Sequence, residues 1–172
     1  MKQVLFEIPI WKENIDISKI QLQSSNYQKS FFSEITTSHG GDNNLAKESC
    51  VYLSKVMTRL LSRDYKIKKL ILTHIWRNIY KQNFQDRHNH AGSHFSFVIY
   101  EKLQKPQTVF FHPAADLMLT VKNNIIFKTS EKLNVVQNDL VIFPGYLDHM
   151  VCLTEDGLTI SGNFDIEVKN ET

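Results

Sequence analysis

Arg87-His88-Asn89-His90, followed later in the chain by Phe143-Pro144-Gly145-Tyr146-Leu147-Asp148-His149, decides how the rest of the sequence is read. Alternate side chains of a strand leave the same face, so His88 and His90 at i and i+2 project together from β-type sequence. The strand is expected to end at Ala91-Gly92, at the rim of a barrel. A turn at Pro144-Gly145 would carry His149 across the mouth to join them. Three imidazoles on one face of an octahedral ion leave about three positions open for exogenous ligands. Asp86 shares the parity of His88 and offers an alternative: a carboxylate ligand, with His90 only in support.

Working outward, short β-branched or aromatic runs dominate from Lys66 onward. Ile67 to Tyr80, Ser93 to Lys102, Thr108 to His112, Leu117 to Val121, Ile125 to Lys128, Asp139 to Pro144, His149 to Leu153 and Leu158 to Phe164 each read as a strand, separated by Asn, Gly, Pro and charged breakers. Roughly eight strands with turn-sized gaps predict a closed or double-sheet β architecture, a jelly roll. Upstream the period is helical. Tyr27, Phe31, Phe32 and Ile35 form one candidate helix, and Leu45, Leu53, Val56, Met57, Leu60 and Leu61 a second. These helices, within about 15–64, are expected to brace one sheet of a barrel covering about 65–167. No repeat, low-complexity segment or linker divides the chain, so 1–172 reads as a single domain.

Composition agrees with one folded unit. The 172 residues are 42% hydrophobic and 11% aromatic, a globular profile. Twenty basic and eighteen acidic residues give a net charge of +2, and their scatter forms no basic stripe or amphipathic anchor, so no nucleic-acid or membrane partner is expected. Cys50 and Cys152 show no CxxC spacing and read as small buried hydrophobes in a reducing compartment. The start, Met1 to Trp11, is too short and interrupted for a signal peptide, and no apolar run approaches the roughly 20 residues of a membrane span. A cytoplasmic protein is expected.

Of the seven histidines, four remain outside this constellation. His39 reads as a loop residue and His74 as a packed strand residue. His94 and His112 fall on strands that could face the barrel interior, where a hydrogen-bonded structural role is the simplest reading.

The ordered set of pieces resembles the 2-oxoglutarate- and Fe(II)-dependent oxygenases of the prolyl-4-hydroxylase-like kind common in bacteriophages and marine bacteria. The pieces are Phe6 to Trp11, Trp76 to Tyr80, His88 to Ser96 running into Val98-Ile99-Tyr100, Asp139 to Pro144 with His149-Met150-Val151, and Thr159 to Asn163. The resemblance implies a double-stranded β-helix of cupin-like type, with Fe(II) on His88, His90 and His149. It further implies 2-oxoglutarate beside the metal, met by Tyr100, Thr159, Asn78 and Ser96. In much of that superfamily the middle ligand is an acid, whereas here it is His90. A neutral set leaves more positive charge on the metal, favouring anionic cosubstrates.

One departure matters. Members of the family place an arginine about eight to ten residues after the distal histidine, where its fork grips the far carboxylate of 2-oxoglutarate. Here Gly157 or Leu158 stands in that place. Either another cation reaches in, with Lys102, Arg77 and Lys122 as the candidates, or 2-oxoglutarate binds weakly, or the protein no longer uses it. The resemblance thus implies a dioxygenase that hydroxylates a small molecule or peptide, with a homodimer allowed and the host cytoplasm its location if phage-encoded. Two alternatives remain: a three-histidine iron dioxygenase independent of 2-oxoglutarate, and a non-catalytic metal-binding or interaction domain of the same fold.

Overall fold

A computed structural model of the chain describes residues 7–30, 33–104, 108–121 and 128–169. In chain order the elements are β1 (Trp11–Asn14), β2 (Leu22–Ser24), β3 (Gln28–Lys29), β4 (Thr36–Thr37), β5 (Asn43–Leu45), α1 (Lys47–Leu61), β6 (Ile67–His88) and β7 (Phe95–Gln104). They continue with β8 (Thr108–Phe111), α2 (Ala115–Leu119), β9 (Ser130–Lys132), β10 (Asp139–Pro144) and β11 (His149–Val168). The main sheet runs β1-β10-β7-β11-β6-β4-β3, and β8 pairs with both β9 and the start of β11. Every described pairing in this sheet is antiparallel. The architecture is the expected one: mainly β, a jelly roll with helix packed outside.

The sheet has two apolar faces, which is why β10 reads, after Asp139, as an apolar run from Leu140 to Pro144, with all six residues of the strand buried. Leu140 and Ile142 join Phe95, Phe97, Ile99, Ile160 and Phe164 in a core against α1. The helix presents Leu53, Val56, Met57, Leu60 and Leu61 to it, all buried, each contributing about 1.5–3 kcal/mol of burial at most. Val141 and Phe143 point the other way, into a second cluster with Tyr100, Phe110 and Leu147. The candidate site lies on this second face.

Register then sets polar side chains in a row. Thr159 of β11 stands opposite Asn78 of β6 on one side and Tyr100 of β7 on the other. At the end of the same ladder His149 stands opposite His88.

Several expectations need correction. The first helix does not form: residues 28–29 and 36–37 are the paired strands β3 and β4, while Phe31 and Phe32 lie outside the described residues. Ile35 is buried beside Tyr80 and Val151, so its apolar character serves the packing of the strand pair β3–β4 that extends the sheet beyond β6. The run Leu117 to Val121 is not a strand, since Ala115–Leu119 is the short helix α2. Of Ile125 to Lys128, residues 125–127 lie outside the described residues, and the local strand is β9. The two last predicted strands are one, β11, because β6 extends to His88 and supplies a partner throughout. Among the described residues, no helix is long and apolar enough to cross a membrane.

Candidate metal centre

His88, His90 and His149 come together, with their ligating nitrogens all within 4.8 Å of one another. His88 closes β6 and His149 opens β11, and the antiparallel register sets them opposite each other, ring centroids 4.3 Å apart. His90 is not on the strand, which ends at His88. It reaches the group from a turn in which its N–H donates to Gly145 O at 2.7 Å and its carbonyl accepts from Ser93 N. Gly145 is required there: a Cβ would meet Ser93 O at 2.2 Å and His90 O at 2.8 Å.

A polar clasp holds these segments from outside. Asp148 accepts from Asn89 Nδ2 at 2.7 Å and from Arg87 Nε at 2.8 Å, contacts that hold its carboxyl below the ordinary value, Asn89 first. Arg87 also donates to Asp116 of α2 and stacks over Phe111. The residues flanking the three histidines are thereby tied to one another.

Tautomers follow from the backbone. His88 Nδ1 lies 2.7 Å from Asp86 O and His149 Nδ1 lies 3.1 Å from Leu147 O. A carbonyl only accepts, so Nδ1 carries the proton in each ring and Nε2 presents a lone pair, the arrangement of metal-binding histidines. Burial pushes all three imidazoles below their ordinary value, His90 to about 4 and His149 well below, with neighbouring imidazoles adding to the effect on both. At neutral pH they are three uncharged donors. The Asp86 side chain is exposed and does not join the group; only its carbonyl takes part.

Behind the histidines is a narrow slot of about 20 Å³, room for one or two waters. Asn78, Ser96, Tyr100 and Thr159 all line it. Thr37 Oγ1 donates to Asn78, and Ser96 donates to Asn163. The Tyr100 hydroxyl shares a hydrogen bond with Thr108, and burial pushes the phenol up to about 12. Thr159 Oγ1 is buried without a hydrogen-bond partner, although it lies near enough to the Tyr80 hydroxyl to influence its ionisation. Such an orphan polar group is uncommon, and a water or a ligand in the slot would satisfy it.

No lysine or arginine lines the slot among the described residues. Arg77 points away and is spent on a bidentate pair with Glu101 at 2.7 and 2.9 Å. Lys102 pairs with Asp156 on the exposed surface. Lys122 lies outside the described residues.

In front of the histidines the slot opens into a vestibule of about 290 Å³ whose lining includes Gln28, Ser30, Ser33, Thr37, His39 and Trp76. His39 is therefore more than a loop residue: its ring meets Trp76 edge-on at 4.7 Å. His74 is exposed rather than packed. His94 is exposed at the rim, where its Nδ1 accepts from Ile166 N, and His112 caps the turn into α2 through Ala114 N. Sequence reasoning missed Gln85, whose amide lies 3.4 Å from His88 Nε2. Period-2 counting could not find it, because a register shift in the β6–β11 ladder lies between Gln85 and His88 and breaks the alternation.

No family model matches the chain, and no curated protein matches it. Among solved structures it resembles in fold an oxidoreductase of the 2OG-Fe(II) oxygenase family from Burkholderia pseudomallei. The TM-score is 0.56 at 12% identity, over 86% of this chain and 74% of that one. A Pseudomonas putida prolyl-4-hydroxylase matches with TM-score 0.52 and 13% identity, over 90% and 96%. The non-heme alpha ketoglutarate dependent carbocyclase SnoK from nogalamycin biosynthesis matches with TM-score 0.52 and 6% identity, over 87% and 69%. At these identities the likeness is one of fold.

Proposed function

We propose that this single domain, residues 1–172, is an Fe(II)- and 2-oxoglutarate-dependent dioxygenase that hydroxylates a small-molecule or peptide substrate. The observation that carries this reading is the convergence of three neutral imidazoles, two of them oriented by backbone carbonyls, at the mouth of a slot lined by hydroxyls and amides in a jelly roll. The donor set fits a divalent first-row metal with open positions. His88, His90 and His149 would hold it, and bound Fe(II) with the oxoacid would supply the activation of dioxygen.

The oxoacid meets hydroxyls and amides rather than a cation. Tyr100, Thr159, Asn78 and Ser96 are assigned to it, with the orphan Thr159 hydroxyl the donor whose partner is missing. A hydrogen bond from a neutral donor to a carboxylate contributes about 1.5–3 kcal/mol but lacks the opposite charge and paired donors of a guanidinium fork, so 2-oxoglutarate should bind more weakly than to a cation-anchored site. It also requires the slot to widen. Phe143 and Val151 form the apolar part of the slot wall, and the vestibule would receive the substrate.

Oxygen uptake and succinate release tests this directly. With Fe(II), 2-oxoglutarate and air the protein should slowly consume oxygen and form succinate, and replacing His88 and His149 together by Ala should abolish both. Absence of succinate at millimolar 2-oxoglutarate, with iron bound, would refute cosubstrate use.

A further inference from the structure

Gln85 stands at the boundary between slot and vestibule and lines both. Its orientation follows from one backbone carbonyl. Because His88 Nδ1 gives its proton to Asp86 O at 2.7 Å, His88 Nε2 can only accept. The Gln85 atom 3.4 Å from it must therefore be the amide nitrogen. The amide oxygen then faces Tyr80, whose hydroxyl donates to it at 3.1 Å. Tyr80 is 1% exposed, and burial raises its ionisation further above neutrality, so it remains a phenol able to donate. The chain Tyr80–Gln85–His88 is fixed from end to end, and it aims an N–H at the lone pair that a metal would take.

We infer that Gln85 is an exchangeable hydrogen-bond donor: it caps His88 Nε2 in the metal-free protein and, when a metal takes that lone pair, passes its N–H to an exogenous ligand beside the metal. This rests on the three-histidine reading but not on 2-oxoglutarate. A metal on His88 Nε2 leaves the Gln85 N–H without its acceptor, and Tyr80 keeps the amide from turning away. An unpaired donor in a half-buried site is costly, so it selects a ligand that accepts a hydrogen bond.

The test uses Co(II) in place of iron and azide as the exogenous ligand, both followed by visible absorbance, with Gln85→Leu and Tyr80→Phe compared with wild type. The expected result is Co(II) binding by Gln85→Leu equal to wild type or up to about threefold tighter, since a competing donor is gone, with azide binding weakened about five- to tenfold. Tyr80→Phe should weaken azide in the same direction but less. Unchanged azide affinity in Gln85→Leu with Co(II) binding intact would overturn the inference and leave the metal site standing. Loss of Co(II) binding in a Gln85→Leu protein of wild-type melting temperature would overturn it by making Gln85 a part of the metal-binding set. Failure of the wild type itself to bind Co(II) would overturn the metal site and this inference together.

Discussion

Gly145→Ala should damage the site through the backbone alone. The added Cβ would sit 2.2 Å from Ser93 O and 2.8 Å from His90 O, both main-chain atoms with no rotamer to yield. The turn carrying His90 must therefore move away from Gly145. Movement on that scale disrupts two hydrogen bonds, His90 N to Gly145 O at 2.7 Å and Gly145 N to His94 O at 3.0 Å. Two such bonds at about 1 kcal/mol each, with an overpacking cost of about 1–3 kcal/mol, give a loss of about 3 kcal/mol or somewhat more. For a chain of this length that corresponds to a fall in Tm of roughly 6–12 °C. His90 leaves the other two imidazoles at the same time, so Co(II) affinity should fall at least tenfold. Circular dichroism melts and Co(II) absorbance titrations measure the two effects. A variant with Tm within about 2 °C of wild type and undiminished Co(II) affinity would refute the argument that the Gly145 contact positions His90.

Thr159→Val removes a buried hydroxyl that has no partner, so the metal-free protein should be as stable as wild type or more so by up to about 1 kcal/mol, whereas 2-oxoglutarate binding should weaken about five- to tenfold; calorimetric titration reads the second and urea unfolding the first. Arg77→Met strands Glu101, whose side chain is 13% exposed, and should cost about 2–4 kcal/mol in urea unfolding without altering 2-oxoglutarate affinity, because the guanidinium faces away from the slot; a folded variant that no longer binds the oxoacid would make Arg77 its anchor after all. Metal-free stability should decline on acidification. His88, His90 and His149 have folded values below 6.5, so the unfolded chain takes up protons first. Stability is full above about pH 6.5 and falls as pH drops, by up to about 1.4 kcal/mol per pH unit per group, the fall attributable to His90 levelling off near pH 4. Urea unfolding at pH 7.5 and 5.5 checks the sign, and greater stability at pH 5.5 would contradict it.

What the sequence disclosed follows its local signals. Asp139–Pro144 was legible to the residue because both faces of that strand are buried and the apolar run has no gaps. His88 and His149 were legible because each sits at a strand end marked by turn residues. The length of β6 was not legible: Lys81 to Arg87 is polar apart from Phe84, and only pairing with the long strand β11, remote in sequence, keeps it extended. The same pairing carries β11 through Glu155-Asp156-Gly157, which locally reads as a turn. Tyr27 to Ile35 misled because Ile35, which falls at helical spacing, is instead buried against Tyr80 and Val151 next to the strand pair β3–β4. Gln85 stayed hidden because the register shift between it and His88, three residues of β6 facing two of β11, undoes the strand parity on which His88 was read.

In the proposed reading the three histidines hold one metal, with positions left for an oxoacid in a slot to which no described residue brings a cation. Anaerobic addition of 2-oxoglutarate to the Fe(II)-loaded protein tests it most directly, through the weak visible charge-transfer band of an oxoacid chelated to iron. The account expects a band that saturates at one oxoacid per iron, with weakened binding in Thr159→Val and none in the double variant of His88 and His149. Iron binding with no band at any oxoacid concentration would contradict it.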